Sequence, residues 1–336
     1  MNKLKKAVQF EKTGNPPDVV QLVELETEAL EAGDALIDVL AATINPSHLL
    51  TLQGNYGVQP ELPAIPGAEG IGRIVEVGNS VKNVNPGDLV MIPPYSGTWR
   101  QQVVVPAERI IVKFPNEGDP VQMSMLMANP PTAWLLLKTV VDINPGDWVI
   151  QNAANSAVGQ YVMQLAKIYG FHTINVVRRE GLEDFIREAG GDVCVVDGPD
   201  LAAQVKVATQ SQNIRLGIDA VAGKSTQYLA QCLSDDGTIA NYGLLSGSPC
   251  QLDPSEIIFR NINLTGVWLT QWLRGRNSTP NLRTAVYDEL RGYIVDGRLS
   301  ANVEKSYSLE EIKIAVAHAM KDGRSGKVVL RPNNSD

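Results

Sequence analysis

Residues 151–167 read QNAANSAVGQYVMQLAK, and this stretch decides the fold. The run DWVIQNA that leads into it is rich in β-forming residues and predicts a strand. The apolar residues that follow recur at helical spacing on one stripe, which comprises Val158, Tyr161, Val162, Leu165 and Ile168. A strand that turns directly into an amphipathic helix is the setting of a dinucleotide-binding turn.

The turn departs from the glycine pattern of such sites. A G-x-G-x-x-G pattern ending at Gly159 would need glycine at positions 154 and 156, where the chain has Ala154 and Ser156. Both are small, Gly159 still permits close packing of helix on strand, and a helix N-terminus offers N–H groups to a phosphate. The alternative is an ordinary capped turn with Asn155 or Ser156 as N-cap, and the turn alone does not decide between them.

The next strand favours the nucleotide interpretation. About 20 residues after the glycine pattern, a dinucleotide site has an acidic residue for the ribose 2′-hydroxyl or an arginine for a 2′-phosphate. Here HTINVVRRE ends with Arg178 and Arg179, and two guanidinium groups suit a phosphate monoester. The sequence therefore predicts NADPH rather than NADH. The alternative is a pair of solvated arginines at a strand end.

The wider pattern predicts two domains. The first third is β-rich and punctuated by Gly, Pro and Asn, whereas strands and helices alternate from about residue 124 to residue 272, as in a doubly wound parallel sheet. The tail predicts helices at about 280–297 and 308–322 and a last strand, KVVLRP. We expect a catalytic domain of residues 1–123 with 273–336 returning to it, and a nucleotide-binding domain of residues 124–272 inserted between them.

Composition limits the function classes. The formal net charge of −8 over 336 residues argues against nucleic-acid binding. The three cysteines are scattered without a C-x-x-C pair, so neither a disulfide framework nor a cysteine zinc site is indicated. The start lacks the apolar segment of a secretory signal, and no apolar run reaches membrane-spanning length. We expect a cytoplasmic protein that does not contact membranes.

Several motifs carry a family likeness along nearly the whole chain. PGAEGIGRIVEVG, the NPGD turns, the alternating block and the closing SGKVVL resemble the medium-chain dehydrogenase/reductase superfamily. LQGNYG, ANPPTAW, QNAANSAVGQ, TINVVR and VWLTQW are most similar to mitochondrial-type 2-enoyl thioester reductases, and more loosely to zinc-free quinone oxidoreductases. The resemblance implies a Rossmann-type sheet inserted into a GroES-like catalytic domain, and a homodimer whose subunits pair at a sheet edge formed by INLTGVWL.

The resemblance also indicates a zinc-independent enzyme. Where zinc-dependent relatives place ligands, this chain matches Asn45, Ala68 and Asn129, none of which is a typical zinc ligand. The three histidines lack any ligand spacing, and each is expected to be a packed or surface residue; they are His48, His172 and His318.

By resemblance, the proton donor is Tyr56 in QGNYG. A phenol, with an ordinary pKa of about 10, is protonated at neutral pH and can donate while hydride adds to the β-carbon of an enoyl thioester. From the residues alone, a tyrosine in a glycine-rich loop is more often a packing or surface residue. Cofactor contacts carry over to Asn129, Asn155, Ser156, Ala157, Val158, Arg178, Arg179, Glu180, Tyr242, Gly243, Leu244, Leu245, Val267, Trp268, Leu269 and Lys327.

Two alternatives stay open at this point. One is an NADPH-dependent reductase of quinones or other activated alkenes, which needs no dedicated proton donor. The other is an NADPH-binding protein without enzymatic activity, in which Tyr56 would be unused.

Overall fold

The computed structural model describes residues 4–210 and 212–333. Its strands, in chain order, are β1 (Lys5–Gln9), β2 (Gln21–Leu25), β3 (Asp34–Ile44), β4 (Gly70–Val77), β5 (Leu89–Met91), β6 (Gln102–Pro106), β7 (Lys113–Phe114), β8 (Trp148–Gln151), β9 (His172–Val177), β10 (Val193–Val196), β11 (Ile214–Asp219), β12 (Thr238–Asn241), β13 (Asn263–Gly266), β14 (Val303–Tyr307) and β15 (Lys327–Leu330).

The helices follow the same order. They are α1 (Pro16–Val19), α2 (Pro46–Gln53), α3 (Pro120–Met123), α4 (Asn129–Lys138), α5 (Ala157–Tyr169), α6 (Glu183–Glu188), α7 (Leu201–Thr209), α8 (Lys224–Cys232), α9 (Pro254–Arg260), α10 (Leu269–Leu273), α11 (Pro280–Val295) and α12 (Ile312–Met320). Within the described residues, no helix combines the length and the apolar character needed to cross a bilayer.

The chain forms two compact units, residues 1–128 with 281–336 and residues 129–280. The sequence placed the boundaries at 123/124 and 272/273. Residues 124–128 lie with the first unit because Met125 and Leu126 are fully buried and the Ala128 N–H donates to the carboxylate of Glu69. After α10 the chain stays with the second unit, where the Ser278 hydroxyl donates to the carbonyl of Trp272.

The first unit is built on the long strand β3, which pairs antiparallel with β4, β6 and β15. Its seven-stranded sheet has the order β14-β15-β3-β4-β5-β7, with β6 on β3. Half-buried and buried positions alternate from Asp34 to Ala41, as expected for a strand with one face on a core, and the last residues of β3 are buried on both faces. The apolar core beneath includes Phe10, Ile37, Val39 and Trp99. The β-rich GroES-like domain expected from the sequence is confirmed.

The second unit is a six-stranded parallel sheet of order β10-β9-β8-β11-β12-β13. From β8 the chain winds outward through β9 to β10, and then returns to the other side of β8 for β11, β12 and β13. Strand order therefore reverses beside β8, and open α/β sheets bind ligands outside the carboxyl ends of their strands at such a point. The doubly wound Rossmann-type sheet is confirmed.

Candidate active site

The turn after β8 forms the N-terminus of α5. Ser156 is the N-cap, and its hydroxyl oxygen accepts a hydrogen bond from the Gly159 N–H at 3.1 Å. The N–H groups of Ala157 and Val158, the first two residues of α5, have no hydrogen-bond partner within the described part of the chain. The cap and the phosphate interpretation are thus compatible, because capping uses one N–H and leaves two for an anion.

Gly159 is required by the local packing. A Cβ atom built on it would lie 2.3 Å from the Ala154 carbonyl oxygen and 2.7 Å from the carbonyl carbon. No side chain fits at that distance, so α5 starts close to the strand only because this position is glycine. The retained glycine of the pattern is therefore the one that the geometry needs, whereas alanine is accommodated at position 154.

A buried polar cluster lies at the base of this turn, between the ends of β8 and β11, and the sequence analysis did not predict it. Asn152 donates from Nδ2 to Asp219 Oδ1 at 2.7 Å and accepts from the Ala220 N–H at 2.7 Å. Asp219 is fully buried at the end of β11, where it also accepts from the N–H groups of Val221 and Ala222 at 2.9 Å. These bonds join the carboxyl ends of β8 and β11. The sequence does contain a sign of this cluster, because Asn152 and Asp219 are polar residues at the ends of two otherwise apolar strands.

The residues predicted to bind the 2′-phosphate follow the neighbouring strand. Arg178, Arg179 and Glu180 are exposed in the turn directly after β9. This turn and the turn after β8 lie at the same edge of the sheet because β8 and β9 are adjacent and parallel. The structure thus brings the predicted pyrophosphate and 2′-phosphate sites to one edge.

Two more predicted sets lie at that edge. Residues 242–245 follow β12, and residues 267–269 follow β13. Burial raises the pKa of the Tyr242 hydroxyl well above its usual range. Leu244 and Leu245 are exposed, and residues 267–269 are half-buried.

Asn129 begins α4, in the second unit. It is 8% exposed, and its Nδ2 atom is buried without a hydrogen-bond partner in the described structure. A buried amide N–H group without a partner costs free energy. A ligand that accepts from it would remove that cost, which fits its predicted contact near the nicotinamide.

Tyr56 lies in the first unit, on the loop that leaves α2. Gly54 ends that helix with φ of 81°, a conformation that favours glycine. Tyr56 itself is half-buried, and its backbone carbonyl accepts from Gln59 Nε2 at 3.0 Å. The loop therefore presents the ring from a fixed helix end.

A second buried polar cluster lies at the other end of α2. The Glu69 carboxylate is fully buried and accepts hydrogen bonds from the Thr43 hydroxyl, from Asn45 Nδ2 at 2.5 Å and from the Ala128 N–H at 3.0 Å. The amine of Lys327 donates to Asn45 Oδ1. Burial lowers the pKa of Lys327 to about 8, although the negative charge of Glu69 opposes this. Burial raises the pKa of Glu69, and the positive charge of Lys327 opposes this increase.

Lys327 is expected from the resemblance to contact the cofactor, and its burial and hydrogen bonds show where its amine lies in the structure. The residue is 6% exposed and its amine is bonded within the first unit. Its contact with a cofactor stays a prediction, as do the other contacts carried over by resemblance.

His48 lies next to this cluster, in the core rather than on the surface. It is 5% exposed, and its ring meets Trp99 edge-on with centroids 5.5 Å apart. Its Nδ1 atom faces the Asn45 N–H at 3.1 Å and its Nε2 atom faces the Ala68 N–H at 3.0 Å. A protonated ring donates at both nitrogens and would oppose both groups. Burial and the charge of Lys327 accordingly lower the pKa of His48 to about 3.

The positions matched to zinc ligands carry other groups. Asn45 is bonded to Glu69 and Lys327, and Ala68 contributes only its main chain to His48. Among residues 4–210 and 212–333, no group of three or more His, Cys, Asp or Glu side chains is arranged to hold a metal ion.

Known protein families and relatives match both units of the chain. Residues 157–285 match the zinc-binding dehydrogenase family, and residues 31–116 match the alcohol dehydrogenase GroES-like domain. The mitochondrial enoyl-[acyl-carrier-protein] reductases of rat and human are each 35% identical to the chain, and each alignment covers 97% of this chain and 88% of the relative.

Solved structures agree with this. The complex of Etr1p with NADP and crotonyl-CoA superposes with a TM-score of 0.89 at 25% identity, over 98% of this chain and 100% of that one. A Bacillus thuringiensis protein described as an NADPH:quinone reductase has a TM-score of 0.88 at 28% identity, over 98% of this chain and 99% of that one.

The inserted parallel sheet, the turn after β8 and these matches define an oxidoreductase of the medium-chain dehydrogenase/reductase superfamily. Within that superfamily, the chain belongs to the family of mitochondrial enoyl-[acyl-carrier-protein] reductases. The interpretation as a protein without enzymatic activity is thereby set aside.

Proposed function

We propose that the protein uses NADPH to reduce the carbon–carbon double bond of 2-enoyl thioesters, without a metal ion and with Tyr56 as proton donor. The single observation that carries the proposal is the 35% identity to enoyl-[acyl-carrier-protein] reductases across 97% of the chain. The Etr1p complex, which contains NADP and crotonyl-CoA, supports the same substrate class.

The residues at the carboxyl edge of the second sheet fit a dinucleotide. The N–H groups of Ala157 and Val158 offer an anion site, and Gly159 lets α5 start close to the Ala154 carbonyl, where a Cβ atom would not fit. Asn129 offers a buried donor without a partner. When bound, NADPH supplies the hydride, and the chain needs only to place the acceptor, polarise it and provide a proton.

Tyr56 would provide that proton. As hydride reaches Cβ of the enoyl thioester, negative charge develops on the thioester oxygen and the Cα atom becomes basic. A neutral phenol at Cα can then donate its hydrogen. The half-buried loop position of Tyr56 and the match of QGNYG to the family support this role.

The preference for NADPH rests on Arg178 and Arg179. Both are exposed in the turn after β9, and two guanidinium groups can bind a 2′-phosphate from several directions. We expect kcat/KM to favour NADPH over NADH by at least about a hundredfold, which corresponds to about 3 kcal/mol of charge-assisted hydrogen bonds. Arg178→Ala should reduce this ratio about tenfold or more, whereas the matched control Arg187→Ala, on the exposed face of α6, should keep it. An unchanged ratio in Arg178→Ala would remove this assignment.

Zinc independence rests on the residues that stand where ligands would be. Asn45 is hydrogen-bonded to Glu69 and Lys327, and the side chain of Ala68 has no atom that can ligate a metal ion. Activity that survives dialysis against a strong chelator, with less than one-tenth equivalent of zinc by elemental analysis, is the expected result; activity restored only by added zinc would contradict it.

Quinone reduction is the second candidate function. The similarity to the Bacillus thuringiensis protein favours it. A quinone acceptor does not need the phenol, so Tyr56→Phe should leave any quinone rate unchanged while it lowers the crotonyl-CoA rate. Turnover of quinones at a far higher kcat/KM than any enoyl thioester would make this the main activity.

We also propose a homodimer. Strand β13 is an edge strand that pairs only with β12 among the described strands, and its residues are all exposed. The adjoining helix α9 exposes Ile258 at 70% and Phe259 at 80%, and a second copy could cover these apolar side chains. The Etr1p/Etr2p heterodimer of Candida tropicalis is a related assembly. Light scattering should give twice the chain mass, and a monomer would exclude the proposal.

A further inference from the structure

The outer face of α12 departs from the usual pattern of a surface helix, whose solvent side is polar. Ile314 is 60% exposed and Met320 is 41% exposed, and the exposed Ala317 lies between them in the sequence. Residues three apart are neighbours on a helix, so these side chains form one apolar row. The opposite face of the helix packs into the core of the first unit through Ile312, Ala315, Val316 and Ala319.

An open groove of about 400 Å³ includes part of this row. It is lined by Tyr307, Lys313, Ile314, Ala317, His318 and Lys321. The lining thus holds two lysines and no carboxylate, and neither lysine amine has a carboxylate partner among the described residues. The groove is therefore apolar along its floor and positively charged at its rim, on a chain whose formal net charge is −8.

One wall of the groove is held in place by hydrogen bonds. The Tyr307 hydroxyl and His318 Nδ1 are 2.8 Å apart, and His318 Nε2 lies 3.0 Å from a carboxylate oxygen of Glu304. The other oxygen of Glu304 accepts from the Ser325 N–H at 2.8 Å, so this carboxylate is engaged on both sides. The amine of Lys305 lies 4.7 Å from the centre of the Tyr307 ring and adds a third positive charge nearby. The wall is thus formed before any partner binds.

The groove belongs to the unit that carries the proposed proton donor. Leu52 of α2 shares its core with the buried face of α12, and Tyr56 follows the end of α2 by three residues. None of the residues that line the groove belongs to β13 or α9, which carry the proposed dimer contact, or to the turns proposed to bind NADPH. The groove is therefore a separate surface that neither proposal explains.

We propose that this groove docks an acidic amphipathic helix of a carrier protein that bears the enoyl group as a thioester. An apolar seam of that helix would cover Ile314 and Ala317, and carboxylates beside the seam would meet Lys313 and Lys321, as in other helix-in-groove complexes. The concave shape fits a helix better than the flat surface of a bilayer. The inference rests on the proposed function and identifies the carrier of its substrate as a protein.

The test compares crotonyl-CoA with a crotonyl group carried on a purified acidic acyl carrier protein. Ile314→Asp places a negative charge on the groove floor, and we expect it to raise KM for the carrier-protein thioester about tenfold. The KM for crotonyl-CoA and the kcat values should not change. Lys313→Glu combined with Lys321→Glu should raise the same KM at least about tenfold at low ionic strength, and less in about 0.5 M salt, which screens exposed charges.

Helix α7 supplies a matched control, because it exposes a lysine beside an apolar residue at Lys206 and Val207. Lys206→Glu and Val207→Asp should leave both KM values unchanged.

Two results would overturn the docking site while the proposed function stands: an Ile314→Asp protein with wild-type KM for the carrier-protein thioester, or one with equal losses on both substrates. Loss of binding to vesicles that contain anionic phosphatidylglycerol, with the carrier-protein KM unchanged, would assign the groove to a membrane instead. A wild-type protein that reduces neither thioester would overturn the proposed function together with this inference.

Discussion

A Cβ atom on Gly159 would lie 2.3 Å from the carbonyl oxygen of Ala154. This relationship sets how closely α5 starts to the end of β8, and so where its free N–H groups point. The hydrogen bonds of Asn152 to Asp219 and Ala220 hold the other side of the turn, so the clash cannot be relieved by moving the strand end.

Gly159→Ala should therefore damage both folding and cofactor binding. We expect a loss of about 2 kcal/mol or more in the free energy of unfolding, typical of overpacking at a buried backbone contact, and NADPH affinity lowered at least about tenfold. Gly217→Ala is the matched control, because a Cβ there meets Leu233 at an ordinary 3.5 Å. Urea unfolding and NADPH titration measure the two effects. An alanine at 159 that behaves like one at 217 would contradict the account of the turn.

Lys327 and Glu69 are both buried and both hydrogen-bonded to Asn45, and this arrangement predicts how their substitution changes stability. Lys327→Met would leave the Glu69 carboxylate, which shares Asn45 as hydrogen-bond partner with the Lys327 amine, buried without a nearby positive charge, and an uncompensated buried charge costs about 3 kcal/mol or more. Glu69→Gln combined with Lys327→Met should recover at least about half of that loss, because no uncompensated charge remains.

Urea unfolding of the single and double variants measures this coupling. The exposed Lys321→Met, at the end of α12, is the control and should change the free energy of unfolding by less than about 0.5 kcal/mol. A double variant no more stable than Lys327→Met alone would show that the two charges are not coupled.

His48 predicts how stability depends on pH. The unfolded chain protonates this residue near pH 6.5, whereas burial and Lys327 hold the pKa of the folded residue at about 3. The unfolded state therefore binds the extra proton between these values, and stability falls as the pH falls through that window. At pH 4 the loss from this residue is about 3 kcal/mol relative to pH 7.

His48→Gln should lack that part of the pH dependence. Urea unfolding at pH 7, 5.5 and 4 should give a shallower decline for His48→Gln than for the wild type. The half-exposed His172→Gln serves as control and should follow the wild type. Parallel declines for His48→Gln and wild type would mean that the buried ring is not the cause.

Much of the fold could be read from local pattern. The alternation of strands and helices around residues 151–167 predicted the parallel sheet, and the predicted helices near 280–297 and 308–322 correspond to α11 and α12. The β-rich first third nevertheless contains a helical turn, α1, which begins at Pro16 and ends at Val19, two residues before strand β2. A proline is favoured in the first turn of a helix, and this local preference outweighed the β-branched residues that follow.

The polar clusters could not be read in this way. Glu69 and Lys327 lie in distant parts of the chain, and each looks like an ordinary surface charge until β15 pairs with β3 and brings them together. Likewise the hydrogen bonds of Asn152 to Asp219 and Ala220 depend on β8 and β11 lying side by side, which no single segment encodes. Periodicity reports which face of an element is buried, and tertiary pairing decides which polar groups meet there.

The central claim is that a phenol on the loop after α2 completes the reduction of an enoyl thioester by NADPH. Its most direct test is single-turnover oxidation of NADPH with crotonyl-CoA by wild type and Tyr56→Phe, with Tyr95→Phe, at an exposed position of the first unit, as control. We predict that Tyr56→Phe slows the chemical step at least about a hundredfold, within the range of general acid catalysis, while NADPH affinity and the Tyr95→Phe rate stay near wild type. A Tyr56→Phe protein that reduces crotonyl-CoA at the wild-type rate would contradict the claim.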